Sequence, residues 1–441
     1  MLETVRNMFK IAELRKKIFF TLAIVFIYRL GGHVPTPGVN ADVLSAFMSN
    51  NANGLFGLYD MFVGGNFGRF TVFALGIMPY ITASIILQLM GTIFPYFHKL
   101  QREGAEGRKK LTQYTRYGTV IFGAIQAAGI SIFISSIQDN GVSAVIPQMK
   151  GFLFMFTTVV SLTTGTVITM WLGEQITARG IGNGISLLIF IGIVARIPNQ
   201  ILTEIQQVMV DRMHLVKSLA IIAVIVAATV AVVIMTQAMR RIPIQTPKKV
   251  VGAKMYAGQN TVLPLRLNMA GVIPIIFASS IMTFPGMIIK SFAGAASESQ
   301  FLDEIFRWFG PDGAIYSILF GLLIIFFTYF YTAIVFNPVD IADNLKKQGG
   351  FIPGIRPGKN TAQFLENVLA RITLPGSVFL ALIAVLPMII MRGFGSAFYF
   401  GGTSILIVVG VALDTLQQLE SHLQARNYEG FMKKGSLRGR R

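Results

Sequence analysis

Apolar residues in this chain arrive in long unbroken runs, separated by short polar or glycine-rich stretches. Ten such runs lie near residues 18–32, 70–92, 117–137, 152–172, 185–202, 215–236, 269–289, 314–335, 372–391 and 403–419. A helix of about 20 apolar residues crosses a hydrocarbon core of about 30 Å, so the pattern predicts an all-α polytopic membrane protein. The first run follows Arg15, Lys16 and Lys17 and ends in Arg29 and Gly31-Gly32-His33-Val34-Pro35. No small-x-small cleavage site follows it, so it reads as an uncleaved first span rather than a signal peptide. Arg196 and Pro198 interrupt the fifth run, and the tenth carries Asp414.

Two features depart from a plain helix bundle. Segment 54–68 is apolar but too short to span, and glycine punctuates it. It fits either an extracellular loop packed on the bundle or a re-entrant segment, which is tolerated at membrane depth only where protein or a water-filled cavity surrounds it. The long basic loops 237–268 and 336–371 show turn signals without a sustained helical period, and they are candidate docking surfaces for a soluble partner.

Composition agrees with the hydropathy pattern: 53% of the 441 residues are hydrophobic and 13% charged, against about 25% charged in soluble proteins. Charge then orients the chain. With ten spans, 29 of the 38 Lys and Arg fall on the side of both termini. The positive-inside rule makes that side cytoplasmic. There is no cysteine, which excludes disulfides and thiolate metal sites.

Candidate chemistry is sparse. His33, His98, His214 and His422 fall at span ends or in loops, away from any proton relay at the midplane. Gly180-Ile181-Gly182-Asn183-Gly184 lacks the preceding strand of a dinucleotide site and reads as a tight turn into span five. Pro357-Gly358-Lys359-Asn360-Thr361 lacks the P-loop spacing. The residues therefore point to no enzyme, catalytic group, metal or cofactor. Within the spans, Ile77, Ile81 and Ile85 form a stripe beside Thr82, Ser84 and Gln88, and Ile185 and Ile189 repeat the spacing. Such stripes serve lipid contact or core packing. Gln88 and Gln126 need polar partners, which favours a helix interface or an aqueous cavity. Pro274 and Pro285 bend span seven around Ser279 and Ser280. Asp414, close to Gln417, Gln418 and Glu420, reads as interfacial.

Four strings carry a family resemblance. Phe73-Ala74-Leu75-Gly76-Ile77-Met78-Pro79-Tyr80-Ile81, Trp171-Leu172-Gly173-Glu174-Gln175-Ile176-Thr177 running on to Arg179-Gly180-Ile181-Gly182-Asn183-Gly184, Asn268-Met269-Ala270-Gly271-Val272-Ile273-Pro274, and Gly354-Ile355-Arg356-Pro357-Gly358 all resemble the bacterial SecY family. The resemblance covers essentially the whole chain. It implies ten transmembrane helices in two pseudosymmetric five-helix halves, 1–205 and 206–441, around an hourglass pore. Its waist would be a ring of Ile77, Ile81, Ile185, Ile189, Ile276 and Ile407. Segment 54–68 would be the plug, with Leu55, Phe56, Leu58, Tyr59, Met61 and Phe62. Thr82, Gln88, Gln126, Ser280 and Phe284 would line a lateral gate between spans two and three and spans seven and eight.

The resemblance further implies a protein-conducting channel of the bacterial cytoplasmic membrane with both termini cytoplasmic. Its partners would be the small subunits SecE and SecG, the SecA motor, the ribosome and preproteins bearing signal sequences, together with the lipid bilayer. Arg356, with Lys248, Lys249, Lys346, Lys347 and Lys359, would engage the motor or the ribosome. Two rival readings remain: a secondary transporter, which wants intramembrane acids or histidines and finds only Asp414, and a scaffold that merely anchors soluble partners.

Overall fold

The computed structural model describes residues 11–50, 55–139, 142–210, 212–245, 249–251, 254–256, 260–293, 313–394 and 402–434. A helix lies under each of the ten apolar runs. In the first half these are α1 (Ala12–Gly31), then, after the short α2 (Ala41–Asn50) and α3 (Leu55–Val63), α4 (Met78–Ile93) with α5 (Pro95–Arg102), α6 (Ala105–Ser136), α7 (Phe152–Arg179), and the pair α8 (Gly184–Val194) and α9 (Ile197–Val210). The second half has α10 (Arg212–Gln237), α11 (Ile273–Ala293), α12 (Ala314–Val335), the short α13 (Pro338–Lys347), α14 (Lys359–Phe394) and α15 (Gly402–Lys434). Among the described residues, seven helical stretches are long and apolar enough to cross a membrane, or eight if the bent pair α4–α5 counts as one. The outer surface is the inverse of a soluble protein's: Phe26 on α1 is 63% exposed and Ile234 on α10 is 65% exposed.

Sequence and structure differ at the second and fifth runs. Helix α4 begins only at Met78, whereas the apolar run starts at 70; residues 70–77 form consecutive turns, with Ala74 N–H bonded to the Thr71 carbonyl and Gly76 N–H to that of Phe73. Gly76, at φ 54°, takes a left-handed conformation that breaks helical propagation, and Pro79 then starts the helix at a position needing no N–H partner. Hydropathy cannot distinguish a buried turn from a buried helix, so the run read as continuous. Beyond Ile93 the chain bends by 104°, because Phe94 precedes Pro95 and is held extended. The fifth span is longer than expected, running over Gly184–Met209 with its break between α8 and α9. Its start is the expected tight turn: Gly182 has φ 84°, and the Asn183 side chain caps α8 by accepting from the N–H groups of Ile185 and Ser186.

The basic loops are more ordered than their patterns indicate. In the first, strands β1 (Met239–Gln245) and β4 (Asn260–Arg266) pair antiparallel around the short β2 (Lys249–Val251) and β3 (Lys254–Tyr256). The second contains α13. Gln245 and Phe351 exchange two backbone hydrogen bonds of 2.9 Å, tying one loop to the other. Ile242, Leu265, Phe336, Leu365 and Ile372 form a small apolar core beneath this joint platform. A far larger core, from Ile24 to Val411, runs through the helices. Helix α11 packs on α4 and α6, α15 packs on α8, and α3 touches both α8 and α11.

Candidate pore, plug and lateral seam

Ile77 caps α4 and Ile81 lies one turn on, so both project from the start of a helix fixed by Pro79. Ile189 stands on α8, Ile276 in the first turn of α11, and Ile407 on α15. These five are buried at 5% exposure or less and belong to one contiguous core, against which the partly buried Ile185 packs. The stripe therefore serves the interior, and the lipid-facing alternative falls away.

A cavity of about 470 Å³ opens beside this cluster. Asn183, Ser186, Asn268, Asp414, Gln417 and Gln418 contribute polar groups to its wall, and Val272, Ile273 and Val411 bring the wall to within a turn of Ile276 and Ile407. Asn268 donates to the Gly271 carbonyl at 3.0 Å, while its side-chain oxygen is buried without a hydrogen-bond partner. Gly182 N–H donates to the Gln418 side chain at 2.9 Å, linking the turn before α8 to α15. Asp414 thus faces a polar hollow on the basic side, in keeping with its interfacial reading.

On the far side of the isoleucines lies α3. Tyr59, Met61, Phe62 and Val63 are buried in the same core, so segment 54–68 is no exposed loop. Leu55, Phe56 and Leu58 belong to this helix, though their side chains lie outside the described residues. Polar contacts fix the segment from four directions. Tyr59 donates to the Leu75 carbonyl at 3.0 Å, and Ser404 on α15 reaches Met61 Sδ at 3.1 Å. Asn66 donates to the Val63 carbonyl at 2.8 Å and lies 3.4 Å from the hydroxyl of Tyr28 on α1. Asp60 accepts from Gly68 N–H at 2.8 Å and pairs with Arg196 at 3.0 Å. Gly64, at φ 77°, comes so close to α8 that an added Cβ would lie 2.7 Å from the Gly192 Cα.

The seam between α11 and α4 with α6 carries the expected gate positions. Thr82, Gln126 and Ser280 are buried there or in the adjoining core. Thr82 donates to the Met78 carbonyl at 3.1 Å. Ser280 donates to the Ile276 carbonyl at 2.8 Å and approaches Met78 Sδ at 3.6 Å, a link from α11 to α4 that sequence reasoning missed. Gln88 donates to Ser84 of its own helix at 3.2 Å, and its buried oxygen has no hydrogen-bond partner. The Ser84 hydroxyl, four residues earlier on the same face, captures the amide locally. Phe284 lies on α11, with its side chain outside the described residues.

On the basic platform, Arg356, Lys346, Lys347 and Lys359 are exposed. Gly354 at φ 80° and Gly358 at φ 103° bracket the turn that presents Arg356, and Thr361 donates to its carbonyl at 3.0 Å. Lys249 lies in β2 with its side chain outside the described residues, and Lys248 lies wholly outside them. No cluster of His, Asp or Glu able to hold a metal occurs among the described residues.

Comparison with known proteins agrees with this architecture. The protein translocase subunit SecY of Haemophilus influenzae is 44% identical over 427 residues, covering 97% of this chain and 96% of that protein. Its counterpart in Thermotoga maritima is 42% identical, with both chains fully covered. Among solved structures, one described as that of a protein conducting channel matches with a TM-score of 0.65 at 18% identity, over 95% of this chain and 96% of the other. Sec61 in the canine ribosome-channel complex matches with a TM-score of 0.61 at 17% identity, over the same shares of the two chains. The SecY family model matches residues 71–416, and with full-length relatives above 40% identity the chain belongs to the SecY family.

Proposed function

We propose that this multi-pass membrane protein is the channel subunit of a protein translocase, passing unfolded preproteins across a membrane and releasing apolar segments sideways into lipid. One observation carries the reading: a polar hollow on the basic side ends at buried isoleucines, with a buried short helix beyond them. A small-solute transporter would instead need coupling groups at the midplane, and Asp414 is an exposed residue on the wall of the hollow.

In this reading ten spans form two halves, 1–205 and 206–441, with both termini in the cytoplasm of a bacterium. Ile77, Ile81, Ile185, Ile189, Ile276 and Ile407 act as the constriction. Aliphatic groups at a narrow point dewet and stop ions, yet yield to a passing chain because they form no directional bonds. Helix α3 is the plug, held at rest by the contacts of Tyr59, Asp60, Met61 and Asn66. The seam of α11 against α4 and α6 is the lateral gate. Opening it lets a signal helix partition into lipid while the polar backbone, which costs several kcal/mol per unpaired group in hydrocarbon, stays in water. The exposed cations around Arg356 receive the SecA motor or the ribosome, and SecE and SecG complete the complex.

The test is reconstitution. Purified protein in liposomes, with its small subunits, motor and ATP, should shield a preprotein from external protease. Preprotein that stays fully digestible would refute the proposal.

A further inference from the structure

The turn 180–184 enters α8 with three of its backbone N–H groups held by side chains from three different helices. Ile181 N–H donates to Thr21 Oγ1 on α1 at 3.1 Å, Gly184 N–H to Thr177 Oγ1 on α7 at 2.9 Å, and Gly182 N–H to Gln418 Oε1 on α15 at 2.9 Å. These bonds occupy donors that a phosphate-binding turn would offer to its ligand, so the glycine pattern serves packing. The packing leaves little slack. An added Cβ on Gly180 would come 2.5 Å from Thr21 Oγ1, and one on Gly184 would run into the Gly173 carbonyl. Ile181 is buried with Leu14 of α1, and Leu419 and Leu423 of α15 pack against the pair.

What the turn holds is α8. Ile185 follows Gly182 closely and Ile189 stands about one turn further on, so the start of this helix sets the place of both isoleucines. Towards its other end α8 meets the short helix α3, through the close approach of Gly192 to Gly64 and, just past α8, the pair of Arg196 with Asp60. One helix thus carries two waist residues at its start and the contact with α3 at its end. Gln418 differs from Thr21 and Thr177 in the helix it comes from, since Ile407 stands about three turns earlier on the same α15. Its bond fixes two isoleucine-bearing helices to each other. Gln418 is exposed in the wall of the polar hollow, so water competes for that bond.

We propose that Gln418 is a positioning residue for the constriction: its side-chain oxygen holds the start of α8 against α15 and so keeps Ile185 and Ile189 closed on Ile407. Loss of the acceptor frees the start of α8 without removing any isoleucine. A single hydrogen bond open to water is worth a small factor, so its loss raises the open population about 2–10-fold. The inference rests on the constriction proposed above, whereas the bond between the turn and α15 does not.

The experiment compares Gln418→Leu, which removes the acceptor, with Gln418→Glu, which keeps one, in the full chain with its small subunits in nanodiscs and planar bilayers. Gln418→Leu should speed amide hydrogen exchange across residues 180–184 and raise resting channel openings about 2–10-fold, and Gln418→Glu should restore both. Ile407→Gly, which opens the constriction directly, serves as the reference for leakage. Ordinary resting openings in Gln418→Leu beside a leaking Ile407→Gly would overturn the role of Gln418 and leave the constriction standing. A silent Ile407→Gly would remove the constriction itself, and the proposal with it. Unchanged exchange in Gln418→Leu would also overturn the proposal. So would a Gln418→Glu that leaks as much as Gln418→Leu, because general loosening of α15 does not depend on an acceptor.

Discussion

Asp60 on the short helix α3 and Arg196 at the break in the fifth span meet at 3.0 Å, with the Asp60 side chain 7% and the Arg196 side chain 33% exposed. One charge interrupts an apolar segment and the other interrupts an apolar span, and each accounts for the other. The pair anchors the proposed plug to the junction of α8 and α9.

Removing either partner should loosen that anchor. A buried pair broken on one side loses about 3–5 kcal/mol, and partial exposure of Arg196 reduces this to about 1–2 kcal/mol. Asp60→Asn or Arg196→Gln should therefore raise the population of the displaced plug by about 5–30-fold. Single-channel recording in planar bilayers should show more frequent openings without substrate. Resting currents like those of the unaltered protein would remove the pair from gating.

The close approach of Gly64 to Gly192 yields a second expectation. Gly64→Val would place a branched side chain at φ 77° against backbone atoms of α8. Left-handed strain alone costs about 1–2 kcal/mol, and the clash adds to it. The temperature midpoint of detergent-solubilised protein should fall by several degrees, while Gly65→Ala, which meets no neighbouring atom within 4 Å, should cost only the strain. Equal midpoints for the two variants would argue that α3 does not press on α8.

Much of this was legible in the runs of apolar residues, and some was not, for physical reasons. Periods and lengths locate helices because every span must bury its backbone bonds within itself. Residues 70–77 defeated the same logic, since turns buried in protein are as apolar as helix. The isoleucine positions were visible as stripes at Ile77, Ile81, Ile185 and Ile189, but only the family resemblance added Ile276 and Ile407. Asp60 and Arg196 carried no joint signal, being far apart in the chain. The fifth apolar run ends at 202, where Thr203 and Glu204 follow, whereas the helix continues to Met209.

Gln88 offers a test of the seam with a definite sign. Its buried side-chain oxygen lacks a partner in the arrangement described, a cost of about 1–3 kcal/mol. Gln88→Leu removes that cost and stabilises the closed seam. Export of a preprotein with a weakened signal sequence should fall, while a strong signal should still be exported. Unchanged export of both would take Gln88 out of the gate.

Arg356→Glu should abolish motor-driven export while leaving the protein folded in the membrane. Arg356 is exposed, so its reversal disturbs no core contact. Binding of the motor to vesicles containing the variant is the measurement, with protease resistance of the channel as the folding control. Normal motor binding and export would assign the docking surface elsewhere.

The most direct test asks what a chain in transit touches. A preprotein arrested by a folded C-terminal domain is challenged with photoreactive residues placed singly at Ile81, Ile276 and Ile407, and at the outward-facing Phe26 and Ile234 as controls. Adducts to the arrested chain are expected from all three isoleucine positions and none from the controls. Adducts from the outer positions, with silence at the isoleucines, would mean that the polypeptide does not pass through the centre of this protein.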